Sequence, residues 1–120
     1  MIKGVGLDLC EISRMEKLLT NDDFLKRFFS EYEIRYIRSK RVNEAQTMAG
    51  IFAAKEALSK ALGTGIIYDL KEIGIIHDEA GCPGYALSGE VGKMCAGDRF
   101  TLSVSHDGGM AAAVCVREEP

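Results

Sequence analysis

The sequence lacks the hallmarks of several large functional classes. Its 15 basic residues are outnumbered by 18 acidic ones, for a net charge of -3, so it has no basic excess of the kind that general nucleic-acid binders carry. No uninterrupted apolar run is long enough to span a bilayer, and the first residues read as a strand rather than a signal peptide. We therefore expect a soluble, cytoplasmic protein that binds neither nucleic acid nor membrane.

The sequence lacks the cysteine motifs of metal or redox sites and the glycine motifs of nucleotide-binding loops. The four cysteines form no C-x-x-C pair, which argues against a zinc knuckle or a thioredoxin-like motif. The glycines form neither a Walker pattern nor G-x-G-x-x-G, so P-loop chemistry is not indicated. We interpret the cysteines as buried, reduced thiols that behave as small apolar side chains.

Length and composition indicate one compact domain. The 120 residues are 47% hydrophobic and 28% charged, close to the average of globular proteins. No repeat, low-complexity tract or linker divides the chain, so we expect a single domain over residues 1–120. A domain of this size buries only about two thirds of its unfolded surface, so association of copies would add burial at little cost.

The order of helix and strand patterns predicts an α+β fold. A strand-like segment at residues 2–9 comes first, and residues 42–62, which lack proline and are rich in good helix formers, predict a long central helix. The short helices expected between them cover residues 11–19, 24–29 and 31–38. The β-type runs of the second half cover residues 72–77, 85–87, 99–105 and 110–116. A small antiparallel sheet should pack on the long helix.

Three segments carry residues that could act together on a phosphate. Asp8 ends the first strand, Glu56 and Lys60 lie on the long helix, and His106 stands near the end of a later strand. Carboxylates, cations and hydroxyls are the groups that hold a magnesium ion on a pyrophosphate. The residues alone leave ordinary alternatives open. Asp8 could cap the next helix, and Glu56 could pair with Lys60 one turn on. His106 could be a surface or structural residue, and Lys55 and Lys60 could be solvated.

The same segments resemble the holo-acyl-carrier-protein synthase family, the small bacterial phosphopantetheinyl transferases. The motifs that carry the resemblance are Gly6-Leu7-Asp8 with Glu11-Ile12-x-Arg14, Phe52-Ala53-Ala54-Lys55-Glu56-Ala57-x-Ser59-Lys60-Ala61-x-Gly63-Thr64-Gly65, and Ser103-Val104-Ser105-His106. The resemblance implies the 4'-phosphopantetheinyl transferase fold. It also implies magnesium-dependent transfer of 4'-phosphopantetheine from coenzyme A to a serine of apo acyl carrier protein, with release of adenosine 3',5'-bisphosphate, in support of fatty acid biosynthesis.

The resemblance further implies roles for single residues. Asp8 and Glu56 would ligate magnesium, while Glu56, Lys60 and His106 would serve catalysis. The residues that would line the coenzyme A site are Lys55, Lys60, Gly63, Thr64, Gly65, Ser105 and His106. Those that would contact the acyl carrier protein are Arg14, Phe24 and Arg27. Glu56 is the preferred base for the carrier serine, with Asp8, His106 and Asp107 left open, and family members are homotrimers with active sites between subunits.

One position departs from the family pattern. The central helix commonly has Arg after Ala-Gly, whereas this chain reads Ala49-Gly50-Ile51. A phosphate contact with coenzyme A is therefore missing or comes from another cation, for which Lys40 and Arg41 are candidates. Two other functions stay open beside the transferase: a magnesium-dependent nucleotide pyrophosphatase with water as acceptor, and an inactive module that binds coenzyme A or a nucleotide.

Overall fold

The fold consists of a strand, three short helices, one long helix and a β-rich second half. The computed structural model describes residues 1–63 and 69–120. Its strands and helices are β1 (Ile2–Glu11), α1 (Ile12–Leu18), α2 (Asp22–Phe28), α3 (Glu31–Arg38), α4 (Glu44–Ala61), β2 (Ile73–His77), β3 (Pro83–Leu87), α5 (Gly89–Met94), β4 (Arg99–Asp107) and β5 (Met110–Glu118). The α+β class predicted from the sequence is confirmed. No helix in these ranges is long and apolar enough to cross a membrane.

The strands of the described residues form two antiparallel sheets, where the sequence predicts one. β5 is the central strand between β1 and β4, and β2 pairs separately with β3. The two sheets meet through side chains instead of a backbone ladder, since the rings of Tyr85 on β3 and Phe100 on β4 lie 5.9 Å apart. Gly108 and Gly109, with φ of +57° and +78°, make the tight turn between β4 and β5 that the sequence predicts.

Helix α4 packs directly on β1 because two glycines allow a close approach. A Cβ at Gly4 would collide with the carbonyl oxygen of Ala61, and one at Gly6 with that of Ala57. Side chains alternate along a strand, so Gly6 and the half-buried Asp8 both face the helix. The glycines therefore bring the Asp8 backbone close to the C-terminal half of α4.

Helix ends follow local chemistry, and the start of the long helix differs from the predicted one. Ser30 caps α3 and Glu33 reaches back to the Ser30 backbone, which confirms the predicted capping box. Helix α4 begins at Glu44 and not at residue 42, because Arg41 has a φ of +53° and starts a short 3-10 turn. Gly63, with a φ of +78°, is the left-handed residue expected after the long helix. The predicted continuation of that turn at Thr64 and Gly65 lies outside the described residues.

Three of the four cysteines are buried thiols, as predicted. Cys10, Cys95 and Cys115 are at most 4% exposed and belong to the core around α4. The prediction is wrong for Cys82, which is exposed in the turn between β2 and β3.

Candidate active site

Two carboxylates meet where β1 packs on α4. Burial raises the pKa of the half-buried Glu56 carboxyl, and the negative charge of Asp8 raises it further, while Lys60 and Arg14 oppose the rise. Within the described part of the chain, the Glu56 carboxylate accepts no hydrogen bond and forms no ion pair. The pair therefore concentrates negative charge that the surrounding side chains neutralise only in part.

The contacts of Lys60 and Asp8 exclude two of the alternatives that the sequence leaves open. Its ammonium lies 3.0 Å from Asp8 Oδ1 and donates to the Leu7 carbonyl, also at 3.0 Å. It thus pairs with Asp8 and not with Glu56, the partner one turn away on its own helix. Asp8 does not cap α1, because it lies inside β1 and the N-cap position belongs to Glu11. The Lys60 side chain is 55% exposed and keeps room to turn toward a bound phosphate.

The donor set at this point suits a magnesium ion. Magnesium usually takes one or two protein carboxylates and completes its shell with water and substrate phosphate oxygens. In residues 1–63 and 69–120 no cluster of three or more acidic, histidine or cysteine side chains is arranged to hold a metal. Asp8 and Glu56 therefore fit a cation that shares its shell with a substrate, and they do not form a closed, all-protein metal site.

His106 lies at the other end of α4. Its Nε2 is 3.2 Å from the carbonyl oxygen of Gln46, and it approaches the helix over Gly50, where a Cβ would lie 3.1 Å from that nitrogen. A carbonyl only accepts, so Nε2 carries the proton and Nδ1 of the neutral ring is left as an acceptor. Ser105, predicted to share a site with His106, faces the opposite side of the sheet because neighbouring strand residues alternate.

The carboxylates and His106 do not come together within one chain. Asp8 is on edge strand β1 and His106 is on edge strand β4, with β5 between them. The row of His106 runs through Ala111 to Cys10, two residues along β1 from Asp8. Standard sheet spacings then separate the Cα atoms of Asp8 and His106 by about 12 Å, and α4 lies across the face between them. A single chain therefore carries two half-sites.

Lys55 lies in the interior, contrary to both roles that the sequence suggests for it. The solvated alternative is wrong, because the side chain is fully buried. Its ammonium lies 2.9 Å from Glu33 Oε1 and donates to the carbonyls of Leu70 and Ile73 at 2.9 and 3.0 Å. Three partners use all three N–H donors, so we remove Lys55 from the predicted contacts with coenzyme A.

The three residues predicted to contact a carrier protein lie on α1 and α2. The guanidinium of Arg14 lies 5.5 Å from the ring centre of Phe52, and Arg14 is close enough to Glu56 to lower its pKa. Phe24 belongs to an aromatic cluster with Phe52 and its neighbours and packs against the core. Arg27 is exposed on α2. Of the two arginines, Arg14 lies beside the carboxylate pair, and it is exposed.

A cavity next to His106 is a feature that the motifs do not predict. It has a volume of about 200 Å³, and its wall includes Tyr36, Ile51, His77 and His106. Ile51, the departure from the family pattern, is 2% exposed in this wall. Of the two cations proposed to replace the missing Arg, Lys40 lies 4.6 Å from the ring centre of Tyr36. The only hint in the sequence is that His77 is one of just two histidines.

Predicted site residues at the end of α4 are described only in part. Gly63 is exposed and its amide donates to the Lys60 carbonyl at 3.0 Å. Helix α4 ends at Ala61, directly after Lys60 and about one and a half turns after Glu56. Thr64 and Gly65, predicted to line the coenzyme A site, lie outside the described residues.

Known proteins resemble the chain along its whole length. The sequence model described as the 4'-phosphopantetheinyl transferase superfamily matches residues 4–115. A holo-[acyl-carrier-protein] synthase from Caldicellulosiruptor saccharolyticus is 42% identical over 122 residues, which cover 99% of this chain and 98% of that protein. The holo-(acyl-carrier-protein) synthase from Bacillus anthracis, solved in complex with CoA, has a TM-score of 0.84 at 36% identity and covers 100% and 99% of the two chains. The holo-[acyl-carrier-protein] synthase from Neisseria meningitidis has a TM-score of 0.87 at 30% identity and covers 99% and 100%.

Proposed function

The chain belongs to the 4'-phosphopantetheinyl transferase superfamily, and we propose that it transfers the 4'-phosphopantetheine group of coenzyme A to a serine of apo acyl carrier protein. Adenosine 3',5'-bisphosphate is the product that leaves. The observation that carries the proposal is the Glu56 carboxylate without a partner in the described residues, beside Asp8 and its Lys60 ion pair. Relatives named as holo-[acyl-carrier-protein] synthases, one of them solved with CoA, support the choice of substrates.

Each residue of the carboxylate half-site has a proposed task. Asp8 and Glu56 hold Mg²⁺, which when bound neutralises charge on the pyrophosphate of the substrate. Lys60 gives up part of its contact with Asp8 and binds the phosphate of the departing adenosine 3',5'-bisphosphate. A compact ammonium suits the negative charge that grows on that phosphate in the transition state. Glu56, the preferred base of the sequence analysis, is the proposed acceptor of the carrier serine's proton.

The second half-site is proposed to come from another copy of the chain. Because Asp8 and His106 lie on opposite edges of one sheet, with α4 across the face between them, we propose that one coenzyme A meets both by bridging two copies. The sheet face away from α4 offers an apolar surface for this, since Val5, Leu7 and Leu9 on β1 are 56%, 60% and 62% exposed. Burying such a contiguous face is the expected result of association. We therefore propose a homotrimer with sites between subunits.

The acyl carrier protein is proposed to dock on α1 and α2. Exposed Arg14 and Arg27 would meet acidic residues of the carrier, and Phe24 would support the contact from the aromatic cluster beneath. Charges at a rim mainly set association rate and salt dependence. The product would supply carrier protein for fatty acid biosynthesis in the cytoplasm.

Intact-mass analysis of apo carrier protein tests the transfer. Incubation with the protein, coenzyme A and Mg²⁺ should add one phosphopantetheine group per carrier, and a chelator should stop it. Glu56→Gln should abolish the gain while keeping the fold, whereas Glu90→Gln, at an exposed position of α5, should leave it unchanged. Near-normal turnover by Glu56→Gln would remove Glu56 from its role.

The same assay separates the two rival functions. A pyrophosphatase would cleave coenzyme A equally well when no carrier is present. A binding module would bind coenzyme A tightly and add no mass to any apo carrier.

A further inference from the structure

Lys60 itself places one positive charge at the carboxylate pair. Its ammonium lies 3.0 Å from Asp8 Oδ1 and donates to the carbonyl oxygen of Leu7, also at 3.0 Å, so two of its three N–H donors have a partner on edge strand β1. Lys60 lies in the last turn of α4, one turn after Glu56. A metal ion that binds Asp8 therefore meets a carboxylate oxygen that already accepts from an ammonium.

The charge of Lys60 acts on both carboxylates. Burial raises the pKa of the Glu56 carboxyl and Asp8 raises it further, whereas Lys60 and Arg14 lower it. The ammonium thus stabilises two neighbouring negative charges, and it repels a metal ion that approaches the same two groups. In the part of the chain that the structure describes, Lys60 is the one cation that forms an ion pair with Asp8 or Glu56.

The contact between Lys60 and Asp8 is open to exchange. The Lys60 side chain is 55% exposed, and an ion pair with that much access to water is a weak one. The other lysine of this helix segment differs in this respect, because Lys55 and its partner Glu33 are at most 1% exposed. A lysine ammonium is a point charge on a flexible stem, so Lys60 can turn from Asp8 to a phosphate without a movement of α4.

We propose that Lys60 is a stand-in cation, which holds Asp8 until a substrate phosphate accepts the ammonium, and that it thereby makes metal and phosphate bind cooperatively. Without substrate, a metal ion has to displace the ammonium from Asp8, so it binds weakly. A substrate phosphate takes the ammonium and frees Asp8 Oδ1, so the metal binds more tightly. By linkage, the metal tightens the binding of that phosphate by the same factor.

The two parts of the proposal have different foundations. The stand-in contact rests on the geometry of Lys60 and Asp8 alone. The identity of the phosphate, as the pyrophosphate of coenzyme A, rests on the proposed function.

The sign of one effect separates the stand-in from ordinary cooperativity. Pyrophosphate oxygens bind a metal themselves, so metal and substrate assist each other even without Lys60. That assistance should survive the removal of the lysine. The contribution of the stand-in should disappear, and its removal should tighten metal binding to the protein without substrate, where a lysine that only binds phosphate would have no effect.

Binding of Mn²⁺, which shares the preference of Mg²⁺ for carboxylate and water ligands, tests the proposal without substrate or carrier protein. Electron paramagnetic resonance of the unbound ion gives the dissociation constant. Lys60→Met should lower that constant about fivefold at low ionic strength, and added salt should narrow the difference. Lys93→Met, which removes an exposed lysine of α5, should leave the constant unchanged.

Two results of this titration would overturn the proposal. The first is a dissociation constant in Lys60→Met that is unchanged or higher. The second is the absence of bound Mn²⁺ in every variant. Asp8→Asn assigns the ion to this site, because it should weaken Mn²⁺ binding in the presence and in the absence of Lys60.

Amine labelling of the unmodified protein keeps the proposal testable if Lys60→Met is poorly folded. Acetic anhydride should acetylate Lys60 faster when Mg²⁺ is present, because the ammonium has lost its contact with Asp8. Mass spectrometry of the digested protein gives the rate at Lys60 relative to that at Lys93, which is the internal reference. A ratio that does not respond to Mg²⁺ would contradict the displacement of Lys60.

A thermodynamic cycle with coenzyme A separates this inference from the proposed function. Mn²⁺ affinity with and without coenzyme A, in the absence of carrier protein, gives a coupling factor for each variant. The factor should be about fivefold smaller in Lys60→Met than in the unmodified protein. Equal factors in a protein that transfers phosphopantetheine would refute the stand-in and leave the transferase function intact. Tighter Mn²⁺ binding by Lys60→Met in a protein without transfer activity would support the stand-in and refute the proposed function.

Discussion

Replacing Lys55 with methionine should lower the free energy of unfolding by about 3 to 5 kcal/mol, because it strands a buried carboxylate. Lys55 is fully buried and its ammonium lies 2.9 Å from Glu33, whose side chain is 1% exposed. The Glu33 carboxylate also accepts from the amides of Ser30 and Ile75, both at 2.8 Å. These amides hold the carboxylate in place after the lysine has gone. The loss is a large share of the roughly 5 to 15 kcal/mol that stabilises an ordinary domain.

A double-mutant cycle measures the interaction itself. Glu33→Gln combined with Lys55→Met removes both charges, so the double variant should lose less than the sum of the two single variants, by about 1 to 3 kcal/mol. Lys93→Met is the exposed control, since Lys93 lies 3.5 Å from Glu90 with both side chains about 80% exposed. Its ion pair should contribute less than about 0.5 kcal/mol.

Urea unfolding followed by circular dichroism, at one fixed protomer concentration, gives the required free energies, because association of copies also stabilises the folded state. Burial lowers the pKa of Lys55 while Glu33 opposes that change. Desolvation therefore disfavours the charged lysine, and the contact with Glu33 offsets part of that cost. A loss below about 1 kcal/mol for Lys55→Met, or strict additivity in the cycle, would refute the view that the pair is a coupled buried contact.

Three further predictions concern other parts of the fold. The hydrogen bond from Arg117 lowers the pKa of Asp98. The contribution of the Asp98 carboxylate to stability is therefore present above about pH 4 and lost as pH falls through the pKa that Asp98 has in the folded state. Asp98→Asn should make the free energy of unfolding depend less on pH in the acid range. Gly6→Ala should cost more than about 2 kcal/mol by urea unfolding, because its Cβ would strike α4. Gly84→Ala should cost less than about 1 kcal/mol, because its Cβ would only make an ordinary contact with Ile76, at 4.0 Å. Leu7→Glu should dissociate the proposed homotrimer in light scattering, and an unchanged mass would reject the sheet face as an interface.

Local signals predicted the helix ends and turns. The Ser30 and Glu33 capping box depends on residues three apart, and the turn at Gly108 and Gly109 depends on adjacent residues. Strand partners depend on distant contacts. β1 pairs with β5, about 100 residues away, and continues to Glu11 because Met110 is there to pair with it. Nothing near residues 2–11 indicates that partner, so the division into two sheets was not predictable from local pattern.

The candidate site was predictable as a set of residues but not as an arrangement. The motifs named Asp8, Glu56 and Lys60, and β1 and α4 bring these three together. The same motifs named His106, which the sheet places on the opposite edge strand. Residue types indicate what chemistry a chain can perform. Which side chains share a site depends on the direction in which α4 crosses the sheet, and no short pattern encodes that direction.

Lys55 and Lys60 show why the faces of α4 escape prediction. Residues five apart on a helix differ by about 140° in direction, so one of these lysines can be buried while the other reaches solvent. The Lys55 side chain is in fact fully buried, and the Lys60 side chain is 55% exposed. An amphipathic helix would reveal this phase through its apolar stripe, but α4 is buried on nearly all sides, with large apolar residues such as Met48 and Leu58 on one face and the small residues Ala49, Ala53 and Ala57 on the opposite one. Those residues allow the close packing that forms the carboxylate pair, and they also remove the periodic signal that would have distinguished the structural lysine from the one at the site.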